Sequence, residues 1–261
     1  LGLIGSAIIT SVNRAPFNEA TCEIVEAYQP KAVSFHFGLP AQPFVHRVKA
    51  AGCSILASAT TVEEARWLED RGCDAVIAQG YEAGGHRGMF LADDIMTQVG
   101  TMALVPQIVD ALNIPVIAAG GIADGRGLAA AFALGAAGAQ IGTAYLFSLE
   151  SLISDLHRRA LCAAGDDSTA VTNLLSGKPA RGLMNRIMRE KGPMSDLVPA
   201  YPTAGNALTP LKVAAEAQGA DDFTSLWSGQ AGGLGYESGS GDLTRRIAKD
   251  ATKIIGQTAA N

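Results

Sequence analysis

Short apolar runs alternate with amphipathic stretches along the first half of the chain. Residues 3–9, 32–37, 54–59, 75–78, 115–119 and 139–142 are continuous apolar runs of strand length, bounded by glycine, proline or polar residues, and read as buried strands. Residues 18–28, 41–51, 61–71, 100–112 and 125–134 repeat apolar positions at helical spacing. Thr61 followed by Glu64 forms the capping box expected at a helix start. Strands that alternate with helices imply a parallel sheet and an α/β fold.

Two topologies satisfy this pattern: an open doubly wound sheet and a closed (β/α)8 barrel. His36, Thr60-Thr61, Gln79, Gly120-Gly121 and Thr143 each follow a candidate strand. Polar groups at so many successive strand ends fit a barrel mouth better than a single crevice. Only six strands are evident, whereas a closed barrel needs eight. Beyond residue 146 the pattern changes. Residues 149–162, 208–218 and 243–255 read as helices, 176–186 as a polar glycine-containing loop, 188–206 as an irregular proline-bearing stretch and 229–241 as a glycine-rich link. The expected organisation is a TIM-like barrel over residues 1–147, with a helical C-terminal segment, 148–261, packed on it.

Composition fits one large α/β domain: 261 residues, 48% hydrophobic, 17% charged and 6% aromatic. The net charge of −5 and the absence of any basic run argue against nucleic acid or an anionic membrane as partner. Cys22, Cys53, Cys73 and Cys162 form no CxxC pair, which suits a reducing, cytoplasmic setting without a disulfide framework. The apolar start, residues 1–9, reads as neither a signal peptide nor a membrane span. No metal-ligand spacing is present.

The most telling segment is Ala78-Gln79-Gly80-Tyr81-Glu82-Ala83-Gly84-Gly85-His86-Arg87-Gly88. A buried strand breaks here into a glycine-rich loop around one imidazole, an arrangement that places a proton-transfer group beside a flat or phosphorylated ligand. The alternative is a plain turn with a surface histidine. The second segment, residues 115–127, runs from a strand through Gly120-Gly121 into a helix and is followed by Gln140-Ile141-Gly142-Thr143. In barrels such late loops hold phosphate on backbone N–H groups and a helix N-terminus. Gly125-Arg126-Gly127 lacks the full GxGxxG spacing of a dinucleotide fingerprint.

Together, residues 32–38, 78–88, 118–127 and 140–143 resemble the FMN-dependent nitronate monooxygenases, formerly called 2-nitropropane dioxygenases. The runs 176–182, Asn185-Arg186, Tyr201-Pro202 and Trp227-Ser228-Gly229-Gln230 resemble the C-terminal region of that family's class I branch. The resemblance implies a TIM-like barrel holding non-covalent FMN, with Gln79, Gly84 and Gly85 at the flavin. It places Gly120, Gly121, Gln140, Ile141, Gly142 and Thr143 around the phosphate and makes His86 the base that removes the α-proton of a nitroalkane. His36 is expected to line the substrate pocket, with a purely structural histidine as the alternative. The implied reaction oxidises an alkyl nitronate with O2 to a carbonyl compound and nitrite.

The family opens with a strand carrying a Gln-Ala-Pro-Met-like motif, followed by an Ala-Gly-Gly-Leu-Gly strand and, later, a strand bearing an asparagine that touches the flavin. Leu1-Gly2-Leu3-Ile4-Gly5 resembles the second of these. The short interval between Ile9 and Ala15 has no room for the third strand. The first and third strands are therefore expected to lie outside this sequence, since eight strands are needed to close such a barrel. Two other functions are compatible with the motifs: an FMN-dependent enoyl-ACP reductase-like enzyme using NAD(P)H, and a non-catalytic flavin- or phosphate-binding remnant.

Overall fold

A computed structural model of the chain describes residues 16–259. In chain order the elements are α1 (Glu19–Tyr28), β1 (Ala32–Phe35), α2 (Gln42–Ala50), β2 (Ser54–Ala59), α3 (Val62–Asp70), β3 (Ala75–Gln79), β4 (Gly85–His86), α4 (Thr101–Ala111), β5 (Val116–Ala119), α5 (Gly125–Ala133) and β6 (Gly138–Gln140). They continue with α6 (Thr143–Leu146), α7 (Asp155–Ala163), β7 (Thr169–Thr172), β8 (Ala180–Leu183), α8 (Arg186–Lys191), α9 (Ala204–Glu216) and α10 (Ser240–Ala259). Two compact units are formed. One takes residues 16–81, 88–140 and 248–259, and the other takes 82–87 and 141–247.

The first unit is built on a five-stranded parallel sheet in the order β1-β2-β3-β5-β6. Its strands are short and rich in alanine because helices cover them closely: Ile55, Ala57 and Ala59 in β2 and Val76 and Ala78 in β3 have no exposed surface. A row of register partners, Ala59, Ala78, Ala118 and Ala139, crosses four strands. One position later Gln79, Ala119 and Gln140 are partners in turn. The alanine row thus brings the two glutamines to the C-terminal edge of the sheet. Helix starts are set locally: the Asn18 side chain accepts the Thr21 N–H, Thr61 that of Glu64, and Asp124 those of Arg126 and Gly127.

The second unit holds a three-stranded sheet, β4-β8-β7, antiparallel throughout. Phe147, Leu161, Leu183 and Leu226 pack into one core cluster, and Leu174, Leu175 and Met188 into another.

The α/β reading with a parallel sheet holds, and five of its strands lie within a residue or two of the expected bounds. The strand expected at 3–9 falls outside the described residues, among which five parallel strands stand with β1 and β6 outermost and the barrel is not closed. The C-terminal segment needs correcting, because it is not purely helical. Residues 180–183, expected in a loop, form β8, and Thr169–Thr172 form β7 beside it. The helix expected from residue 149 starts only at Asp155, capped by Ser154.

Candidate active site

The segment around His86 takes its shape from strand pairing. Gly85 adopts φ +74°, a left-handed conformation that favours glycine, and faces Arg181 across the β4–β8 ladder, while His86 faces Ala180. The Arg87 N–H donates to the Pro179 carbonyl at 2.8 Å. These bonds hold the backbone on both sides of the imidazole.

The His86 ring packs against two aromatic rings, 5.7 Å from Tyr201 edge-on and 5.4 Å from Trp227. Its Nε2 is 2.8 Å from Ser176 Oγ. Ser176 Oγ also donates to the Lys178 carbonyl at 3.1 Å and accepts the Lys178 N–H at 3.3 Å. The hydroxyl thus ties the ring edge at Nε2 to the 176–178 turn and sets the orientation of the imidazole. Gly177, at φ +91°, lets the Tyr201 segment approach: a Cβ there would stand 2.5 Å from the Tyr201 nitrogen. Trp227 is fixed from behind by His157, whose Nε2 lies 3.0 Å from the Trp227 carbonyl. Burial pushes the His157 pKa down, which keeps that ring neutral.

A cavity of about 330 Å³ opens beside this group, lined by His86, Ser176, Tyr201, Asn206, Lys212 and Trp227 among others. It can admit a small organic molecule to the imidazole with polar and cationic groups on its walls.

Gly84 owes its lack of a side chain to the protein itself. A Cβ there would meet the Gly229 nitrogen at 2.5 Å and the Ser228 carbonyl carbon at 2.6 Å. The Gln230 N–H donates to the Glu82 carbonyl at 3.0 Å, and Thr143 Oγ1 accepts the Gly229 N–H at 2.8 Å. Residues 82–84, 228–230 and Thr143 are thus one packed group. At Gly142, by contrast, no heavy atom lies within 4 Å of where a Cβ would be. Ile141 and Gly142 lead directly into α6.

In the parallel-sheet unit, Gln79 and Gln140 flank Ala119 at the strand ends, and the turn after Ala119 holds Gly120 at φ +112° and Gly121 at φ +68°. Gln79 Oε1 accepts the Gly88 N–H at 2.7 Å. Gly88 rests against His36, where an added Cβ would come within 3.0 Å of His36 Cε1. Gln79 and His36 therefore meet through Gly88. At the start of α5 the first free amides are taken by the Asp124 carboxylate, with Arg126 N–H at 2.9 Å and Gly127 N–H at 3.3 Å. Among the described residues no cluster of three or more His, Cys, Asp or Glu could hold a metal ion, and no helix is long and apolar enough to cross a membrane.

Ser176 is not legible in the sequence as a partner of His86, since 90 residues separate them. Tyr201 and Trp227 stood out only through their likeness to family segments. The glycine beside Ser176, Gly177, was the one local signal of a tight approach.

A family model described as nitronate monooxygenase matches residues 5–250. A probable nitronate monooxygenase of Staphylococcus saprophyticus is 41% identical over 256 residues, 97% of this chain and 72% of its own. One of Bacillus subtilis is 44% identical over 208 residues, 80% of this chain and 60% of its own. The solved structure of a nitroalkane oxidase from Streptomyces ansochromogenes superposes with a TM-score of 0.84 at 38% identity, covering 93% of this chain and 69% of the other. The chain thus spans between 60% and 72% of the length of these proteins.

Proposed function

We propose, because the chain belongs to the nitronate monooxygenase family, that it is part of an FMN-dependent enzyme that oxidises alkyl nitronates with O2 to a carbonyl compound and nitrite. The observation that carries this reading is His86, packed against Tyr201 and Trp227 at a cavity, with its ring oriented by Ser176.

Several features suit FMN. The turn after β5 places two consecutive glycines in the left-handed region, bringing backbone close to a ligand without side chains in the way. Gly142 has open space where a Cβ would stand, and the Thr143 hydroxyl, which accepts from Gly229, keeps its own proton to donate. Gly121 and residues 140–143 are assigned to the phosphate, with Gly120 in the same turn, and Gln79, Gly84 and Gly85 to the flavin. The capped start of α5 is left out of the phosphate site. When bound, FMN supplies the redox step between nitronate and O2.

This chain's own residues prepare the substrate. A neutral nitroalkane in the cavity gives its α-proton to the His86 imidazole, leaving a nitronate anion and an imidazolium that donates from Nε2 to Ser176 Oγ. An imidazole of near-neutral pKa matches the acidity of a carbon bearing a nitro group. A substrate supplied as nitronate bypasses this step and relies on binding alone. His36, held against Gly88, is assigned to the substrate pocket.

The test is direct. Purified protein should carry flavin absorbance, consume O2 and release nitrite when given a nitronate. Bound flavin without nitrite from any nitronate would reject the function. Rapid anaerobic bleaching by NADPH coupled to an enoyl thioester would favour the reductase instead.

A further inference from the structure

Thr60 and Thr61 follow β2 in the row of polar strand ends, and the reaction leaves them without a role. Thr61 does what a capping box requires, accepting the Glu64 N–H at 3.1 Å. The Glu64 carboxylate does not return the bond to Thr61. It lies fully buried and accepts at both oxygens. Oε2 takes the Thr60 N–H at 2.7 Å and the Thr60 hydroxyl at 2.7 Å. Oε1 takes the Phe90 N–H at 2.6 Å and the Leu91 N–H at 3.1 Å. Gln98 Nε2 donates to Thr60 Oγ1 at 3.0 Å, which commits the threonine proton to Glu64. A carboxylate has about four lone-pair sites, and donors reach all of them. A carboxamide is a poor replacement: turned one way its NH2 faces the Phe90 and Leu91 N–H groups, turned the other it faces the Thr60 N–H. A helix cap needs none of this.

The segment so gripped is the one that leaves His86. Its first amide, Gly88, is held by Gln79 Oε1, and its next bonds, at Phe90 and Leu91, are those to Glu64. The Phe90 ring packs edge-on against Trp67 of α3 at 5.1 Å, so side chain and backbone are anchored to the same helix. Gly88 in turn abuts His36. One buried carboxylate therefore fixes the run that connects covalently to one histidine and touches the other.

We propose that Glu64, with Thr60 as its relay, is a positioning residue for proton abstraction, holding residues 88–91 so that the His86 segment and His36 keep their places. The proposal rests on His86 as base, and its test has one arm independent of that reading. In the whole flavin-loaded protein, Glu64→Gln should speed amide hydrogen exchange at Phe90 and Leu91 by about tenfold or more, as expected for losing bonds to a charged acceptor, while amides of β3 and β5 keep their rates. The same variant should lower kcat/KM for a neutral nitroalkane about tenfold relative to kcat/KM for the corresponding nitronate, since only the former needs the base. Uniformly faster exchange across the sheet, unchanged exchange at Phe90 and Leu91, or equal loss on both substrates would overturn it. If wild-type protein turns over neither substrate, the base reading fails and the exchange arm alone decides the clamp. Should Glu64→Gln not fold, Thr60→Val, which keeps the bonds to Phe90 and Leu91, should raise exchange at those two amides about threefold. No change there would contradict the relay.

Discussion

His86 Nε2 and Ser176 Oγ lie 2.8 Å apart. Ser176 Oγ also bonds the Lys178 carbonyl and N–H, so this contact ties the ring to the 176–178 turn. Removing the hydroxyl frees the ring without touching the strand pairing that holds the His86 backbone. Ser176→Ala should therefore lower kcat for a neutral nitroalkane by roughly tenfold, with little change for a nitronate. Steady-state assays on the two substrates check this, and equal effects on both would remove Ser176 from proton transfer.

Two glycines of the proposed flavin site separate packing from binding. At Gly84 a Cβ collides with the backbone of Ser228 and Gly229, so Gly84→Ala should destabilise the protein by about 1–3 kcal/mol in denaturant unfolding. At Gly142 the space is open and φ is −104°, so Gly142→Ala should leave stability within about 0.5 kcal/mol of wild type. If residues 140–143 hold the FMN phosphate, the same change should weaken FMN binding about tenfold by fluorescence titration.

His157 makes stability depend on pH. Burial lowers its folded pKa below the ordinary imidazole value of about 6.5. Above that value the ring is neutral in both states and its bond to Trp227 is intact. As pH falls below about 6.5 the unfolded chain takes the proton first, so stability drops until the folded pKa is reached. The slope from this one group is at most about 1.4 kcal/mol per pH unit. Thermal melts between pH 8 and 5 should show this fall, and His157→Gln should lack this component of it. An identical pH slope in the variant would rule the group out.

At the start of α5, Asp124 accepts two amides and pairs with Arg126, which holds its carboxyl below the usual carboxylate range. Its stabilisation is present above about pH 4 and is lost as pH falls through the lowered value. Asp124→Ala should cost about 1 kcal/mol at neutral pH, and Asp124→Asn clearly less, because the amide oxygen still caps. FMN affinity should survive Asp124→Asn, since the capped amides are not assigned to the phosphate. A large loss of affinity would return the helix terminus to the site.

The parallel sheet was legible because its inner strands are largely buried and appear as apolar runs, as Ala75–Gln79 shows. The antiparallel sheet was hidden. In β8 the buried residues are Ala180, Arg181, Gly182 and Leu183, and an arginine beside a glycine looks like loop until Arg181 is seen reaching Thr169 Oγ1 in β7. The local motif around His86 was readable, whereas its partners were not. Ser176, Tyr201 and Trp227 arrive through strand pairing and close backbone approach far along the chain, which no window of sequence contains. Glu64 was half legible: its cap is local, but the acceptor role toward Phe90 spans 26 residues.

The account stands on His86 as the carbon-acid base. The most direct measurement compares kcat/KM for a neutral nitroalkane with that for its nitronate in wild type and in His86→Asn, with bound flavin quantified in both. The ratio should fall by about a hundredfold or more in the variant while flavin content is kept. An unchanged ratio in a flavin-loaded variant would contradict the assignment.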